Sequence, residues 1–177
     1  MKNDPVMEAS YYNNNEKLFP DFAILSKEGK QFPCHRFILS SRSQTMKAMM
    51  TTDMKEAKEG QVKLDYSDEV VEKFVDYFYT QTVPKEVLKV NLDSFMTLSE
   101  LYDLNPLKHQ TEEAACEQMT TDNMVDMFVM ADLHSAENLK EASKLFIRKN
   151  KAKLMELDLV GYGYPAKVIS DVFRLVI

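Results

Sequence analysis

The chain has 177 residues, of which 45% are hydrophobic and 28% charged, with a formal net charge of -6. That length and apolar content support a buried core and suit one compact domain or one domain with a helical extension. The acidic balance argues against a nucleic-acid partner, which calls for a basic face to neutralise phosphates. No run approaches the roughly 18 apolar residues of a membrane-spanning helix, so no membrane partner is expected either.

Residues 1–18 are polar and include Asn13-Asn14-Asn15, without the apolar stretch of a signal peptide. The two cysteines, Cys34 and Cys116, are too few for a disulfide framework. A nuclear or cytoplasmic location is therefore expected. Four glycines point to a helix-rich chain with few tight hairpins, because positive φ comes cheaply only to glycine. Twelve methionines exceed ordinary usage; methionine fills irregular core gaps and also lines adaptable binding surfaces.

In chain order, Asp21–Leu25 and Gln31–His35 are strand-like runs joined by a turn containing Gly29, which predicts a β-hairpin. Pro33 lacks an amide donor and places the second strand at an edge. Phe37, Ile38, Leu39, Met46, Met49 and Met50 recur at helical spacing around a Ser40–Ser43 break, predicting two short helices followed by a charged loop. Gln61–Tyr66 alternates polar and apolar residues as a half-buried strand does. Ser67 or Asp68 then caps a helix with Val71, Phe74, Val75 and Phe78 on its apolar stripe.

After Pro84, Leu92, Phe95, Met96, Ser99 and Tyr102 share a helical face, and Asn105-Pro106 forces a stop or turn. Helices are expected over 107–119, after a Thr121-Asp122 cap with Met124, Met127, Phe128 and Ala131 inward, and from Ser135 with Leu139, Leu145 and Phe146 inward. The sum is an α+β chain: a small early sheet covered by helices, then a helical extension.

Little in the sequence converges on catalysis. Cys34 and His35 are adjacent, but neighbouring strand residues point to opposite faces, so they do not form a nucleophile and base. Cys34, His35, His109, Cys116 and His134 lack the spacing of a zinc site. Asp68-Glu69 and Glu112-Glu113 suit first helical turns or solvated faces. No catalytic residue, cofactor or metal is expected.

Pro20–Leu25 (PDFAIL) and Gln31–Ser43 (QFPCHRFILSSRS) resemble the opening of a BTB/POZ domain. In that family an Asp-led strand is followed by a strand ending in His and a basic residue, then by a helix ending in Arg-Ser. Tyr77–Thr80 resembles the family's aromatic-Tyr-Thr segment, with Gln81 where a glycine usually follows. Ala48–Glu56 and Ala131–Leu139 are similar to the speckle-type POZ group of MATH-BTB adaptors.

The resemblance implies a BTB/POZ domain over 19–119, preceded by the polar segment 1–18 and followed over 120–177 by a helical three-box and the start of a BACK-like region. It implies a non-catalytic homodimeric adaptor that binds the cullin-3 N-terminal domain within a ubiquitin ligase complex. Met54 and Glu56 would form the docking motif, and Leu101, Tyr102 and Leu104 the other wall of the groove. It assigns self-association to Leu18, Phe19, Asp21, Arg36, Phe37 and Leu39. Ubiquitination substrates are expected to be chosen by a module not in this chain, since residues 1–18 are too short for a MATH domain. The alternative expectation is a self-associating transcriptional or structural scaffold without cullin binding.

Overall fold

A computed structural model describes residues 19–51, 53–159, 161 and 163–175, which divide into two compact units between Leu107 and Lys108. In the first unit, β1 (Phe22–Leu25) and β2 (Gln31–Cys34) form the expected hairpin, antiparallel, with Phe22 opposite Cys34 and Leu25 opposite Gln31. β3 (Gln61–Lys63) joins the other side of β1 in parallel, Ala23 opposite Gln61, so the order is β2-β1-β3. Pro33 therefore sits on an outer strand, where its missing donor leaves no ladder bond unmade. Phe22, Ile24, Phe32, Cys34 and Val62 are all buried, as period-two alternation against one covered face requires.

The strand expected over 61–66 is shorter. Beyond Lys63 the Leu64 amide still donates to the Leu25 carbonyl at 2.8 Å, and the Tyr66 carbonyl accepts from the Lys27 amide at 2.9 Å. The hairpin turn is instead tied to the helix that follows. Ser26 Oγ accepts from the Lys30 amide at 3.1 Å and donates to Asp68 Oδ1 at 2.6 Å.

Helices α1 (Arg36–Arg42) and α2 (Gln44–Thr51) appear as the periodicity predicts, broken at Ser43. The charged loop after them holds an unforeseen short helix, α3 (Lys55–Glu59), closed by Gly60 at φ 68°. α4 (Asp68–Thr80) is capped by Ser67 and buries Val70, Val71, Phe74, Val75, Tyr77 and Phe78. α5 (Lys85–Val90) and α6 (Leu92–Leu101) follow Pro84. The Asn105-Pro106 pair does not simply end a helix: it opens α7 (Asn105–Glu117), two residues before the expected start. Proline is tolerated in a first turn because amides there have no intrahelical acceptor.

The second unit contains α8 (Met124–Leu133), α9 (Glu137–Lys149), α10 (Lys151–Leu154) and α11 (Ala166–Arg174). Its core gathers Met124, Val125, Phe128, Ile147, Leu154, Leu159 and Val172. Two starts differ from expectation. Thr120 and Asn123, not Thr121-Asp122, form the turn before α8, with the Thr120 amide donating to Asn123 Oδ1 at 2.7 Å. Ser135 takes φ 46° and leaves Ala136 at the N-cap of α9. Leu145, expected inward, is exposed.

Candidate interaction site

The site is assembled around the break at Ser43. Its hydroxyl accepts from the Met46 amide at 3.1 Å, satisfying one of the free donors that open α2, and donates to the Tyr102 carbonyl at 2.6 Å. One buried serine thus joins the start of α2 to the end of α6. The Ser-Ser-Arg-Ser run signals a break, but nothing local says which serine reaches a carbonyl 59 residues away.

α3 is too short to hold itself and is fixed from outside. Arg36 donates from a guanidinium nitrogen to the Ala57 carbonyl at 2.8 Å, and the Ala23 amide of β1 donates to the Gly60 carbonyl at 3.0 Å. Met54 becomes the N-cap residue of this clamped turn and is 50% exposed. Glu56 lies in the first turn, half-buried, close enough to Tyr102 for its charge to act on the phenol. Leu101, at the end of α6 and next to Tyr102, is 56% exposed.

Tyr102 and Leu104, expected to form a groove wall, are instead buried in the first unit. Tyr102 lies 5.3 Å, centroid to centroid, from Phe74, and the Leu104 amide donates to the Ser99 carbonyl at 2.7 Å. The chain turns inward once α6 ends. Met54, Glu56 and Leu101 remain as the groups that present surface, Leu101 next to the buried Tyr102 in the chain and Glu56 near enough for its charge to act on that phenol.

Burial pushes the Tyr102 phenol up to about 12, with smaller contributions from Tyr66 and Glu56. Between pH 10 and 12 an unfolded chain would release this proton while the folded chain keeps it, so stability falls as pH rises through that window. Up to about 2–3 kcal/mol should be lost there. Urea unfolding at pH 9 and pH 11.5 should show a smaller alkaline loss for Tyr102→Phe than for wild type. An identical loss would place the effect elsewhere.

The residues expected at a self-association surface do not behave alike. Phe19 and Phe37 are 89% and 75% exposed. Leu39 is fully buried and offers no surface, because it falls on the inward side of α1. Asp21 and Arg36 are committed within the chain. Asp21 Oδ1 accepts from the Arg36 amide at 2.8 Å, supplying a cap that His35 does not, while Arg36 Nε donates to the Asp21 carbonyl at 3.2 Å. Leu18 lies outside the described residues.

His35 turns to Tyr79, its Nδ1 2.9 Å from the phenolic oxygen, which also accepts from the His35 amide at 3.1 Å. The buried Cys34 thiol instead donates to the Phe22 carbonyl at 3.6 Å. Gln81, where a glycine was anticipated, ends α4 at φ 61° and donates from its amide to the Tyr77 carbonyl at 2.8 Å. A left-handed terminal residue explains the usual glycine, and glutamine adopts it at a cost of about 1–2 kcal/mol.

The first unit exposes Phe19, Phe37, Met54, Val90 and Leu101, and among the described residues no buried side-chain nitrogen or oxygen lacks a hydrogen-bond partner. A family model described as the BTB/POZ domain matches residues 11–119, and the chain belongs to that family. BTB domains are protein-interaction domains that self-associate and bind partners.

Proposed function

We propose that this chain is a dimeric BTB adaptor, related to the speckle-type POZ group, that docks the cullin-3 N-terminal domain and links substrates to ubiquitination. A module outside this chain selects those substrates. The observation that carries the reading is the presentation of Met54: a large apolar side chain, half in solvent, on a turn clamped by Arg36 and β1. The turn that carries this methionine is held in advance, although its side chain must still lose rotamer freedom, and full burial contributes about 1.5–3 kcal/mol. Glu56, half-exposed in the first turn of α3, can accept hydrogen bonds from a partner that set orientation. Leu101 extends the apolar contact.

Calorimetric titration with the cullin-3 N-terminal domain tests the reading. Wild type should bind, and Met54→Asp should weaken binding by at least about tenfold, because a carboxylate would replace the buried thioether. Equal affinities would remove the motif. A dimer that gives no heat with cullin-3 would favour the alternative of a self-associating scaffold without a cullin partner.

A further inference from the structure

The end of α9 and the whole of α10 carry a concentration of positive charge, only part of which is matched by acids of the chain and none of which the proposed adaptor role uses. Lys144, Arg148, Lys149, Lys151 and Lys153 fall within a stretch, Ala142 to Met155, that contains no carboxylate, in a chain of net charge -6. Lys144 is paired with Glu141 at 2.6 Å and Lys153 with Glu156 at 3.3 Å. Arg148, Lys149 and Lys151 are exposed and form no ion pair among the described residues. Helix dipoles favour cations in a last turn. That accounts for a basic residue at each helix end but not for the excess of cations over the flanking Glu141 and Glu156.

Apolar side chains accompany the charge. Leu145 shares a helical face with Arg148 and Lys149 at spacings of three and four, and it is exposed although the apolar periodicity expects it inside. Met155, just past α10, is exposed as well. The strip lies beyond residues 11–119, the part matched by the BTB/POZ family.

We propose that the strip from Lys144 to Met155 is a docking surface for an acidic peptide segment of a partner protein, one that carries apolar side chains among its carboxylates. Charge complementarity selects the acid, and Leu145 and Met155 select the apolar groups. An extended polyanion fits less well. A duplex or an anionic bilayer would confront the remaining acidic surface, whereas a short peptide meets only the local strip within a Debye length of about 8 Å. Phosphate backbones also leave Leu145 and Met155 without a counterpart.

Fluorescence anisotropy on the full chain decides this. The probe is a fluorescein-labelled peptide of repeated Glu-Glu-Leu, compared with an all-glutamate peptide and an oligothymidine of equal charge. Wild type should bind the Glu-Glu-Leu peptide saturably and more tightly than either comparison. Combining Arg148→Glu, Lys149→Glu and Lys151→Glu should weaken it by about tenfold or more. A control with the same change in net charge, Lys30→Glu, Lys47→Glu and Lys63→Glu, should bind as wild type does. Combining Arg148→Gln, Lys149→Gln and Lys151→Gln should show the same direction of loss, with circular dichroism reporting an intact fold. Any of four results overturns the proposal: no saturable binding by wild type, undiminished binding by both strip variants, an equal loss in the control, or oligothymidine bound as tightly as the peptide.

Discussion

Phe74→Ala should destabilise the first unit by about 3–5 kcal/mol, the cost of deleting a fully buried aromatic side chain and leaving a cavity. Phe74 has no exposed surface; its ring meets Phe78 edge-on at 5.2 Å and Tyr102 at 5.3 Å. Domains of this kind are held by only about 5–15 kcal/mol in total, so the variant should unfold at far lower urea and populate unfolded chain near body temperature. Through Tyr102 the loss should also loosen the support behind Glu56 and Leu101. Phe74→Leu, which keeps most of the apolar volume, should cost much less. Urea titrations followed by far-ultraviolet circular dichroism check both. A Phe74→Ala midpoint within experimental error of wild type would contradict the packing described for this core.

Phe37→Asp should weaken self-association by at least about a hundredfold while leaving the fold intact. A twofold interface uses the same patch on both copies, so one substitution is felt twice. Each phenylalanine ring contributes about 1.5–3 kcal/mol on burial, and two of them exceed the roughly 2.8 kcal/mol that corresponds to a hundredfold. Phe37 is largely exposed in the chain, which is why its loss should not unfold it. Light scattering over a micromolar concentration series should show a dimer for wild type and a monomer for Phe37→Asp. By contrast, Leu39→Asp should unfold the chain, because Leu39 faces the core. A Phe37→Asp variant that stays dimeric would move the interface away from α1.

Much of the fold is legible because its signals are local. Alternation in Asp21–Leu25 and Gln31–His35, with Gly29 between, is enough for the hairpin. The stripe of Val71, Phe74, Val75 and Phe78 is enough for α4. The parallel pairing of β3 with β1 is not local, and no periodicity contains it. α3 was hidden for a different reason: Lys55–Glu59 buries no residue, so it has no apolar stripe, and it exists through contacts from Arg36 and Ala23.

The candidate site was less legible than the fold. Met54 and Glu56 stand out only through resemblance, since a methionine and a glutamate in a charged loop carry no pattern of their own. Helical spacing puts Tyr102 on the buried face with Phe95, Met96 and Ser99, and it is buried there; its groove-wall role, like that of Leu104, came from resemblance alone, and the Ser43 hydroxyl that anchors this turn is distant in sequence. Leu39 and Phe37 show the opposite case: two residues apart on one helix, they face opposite environments.

The most direct measurement is light scattering on the chain mixed with the cullin-3 N-terminal domain in slight excess. Wild type should give one species with the mass of two chains and two cullin domains, and Met54→Asp should carry clearly less cullin at the same concentrations. Separate peaks for the wild-type chain and the cullin domain, at concentrations where calorimetry would detect micromolar binding, would contradict the account.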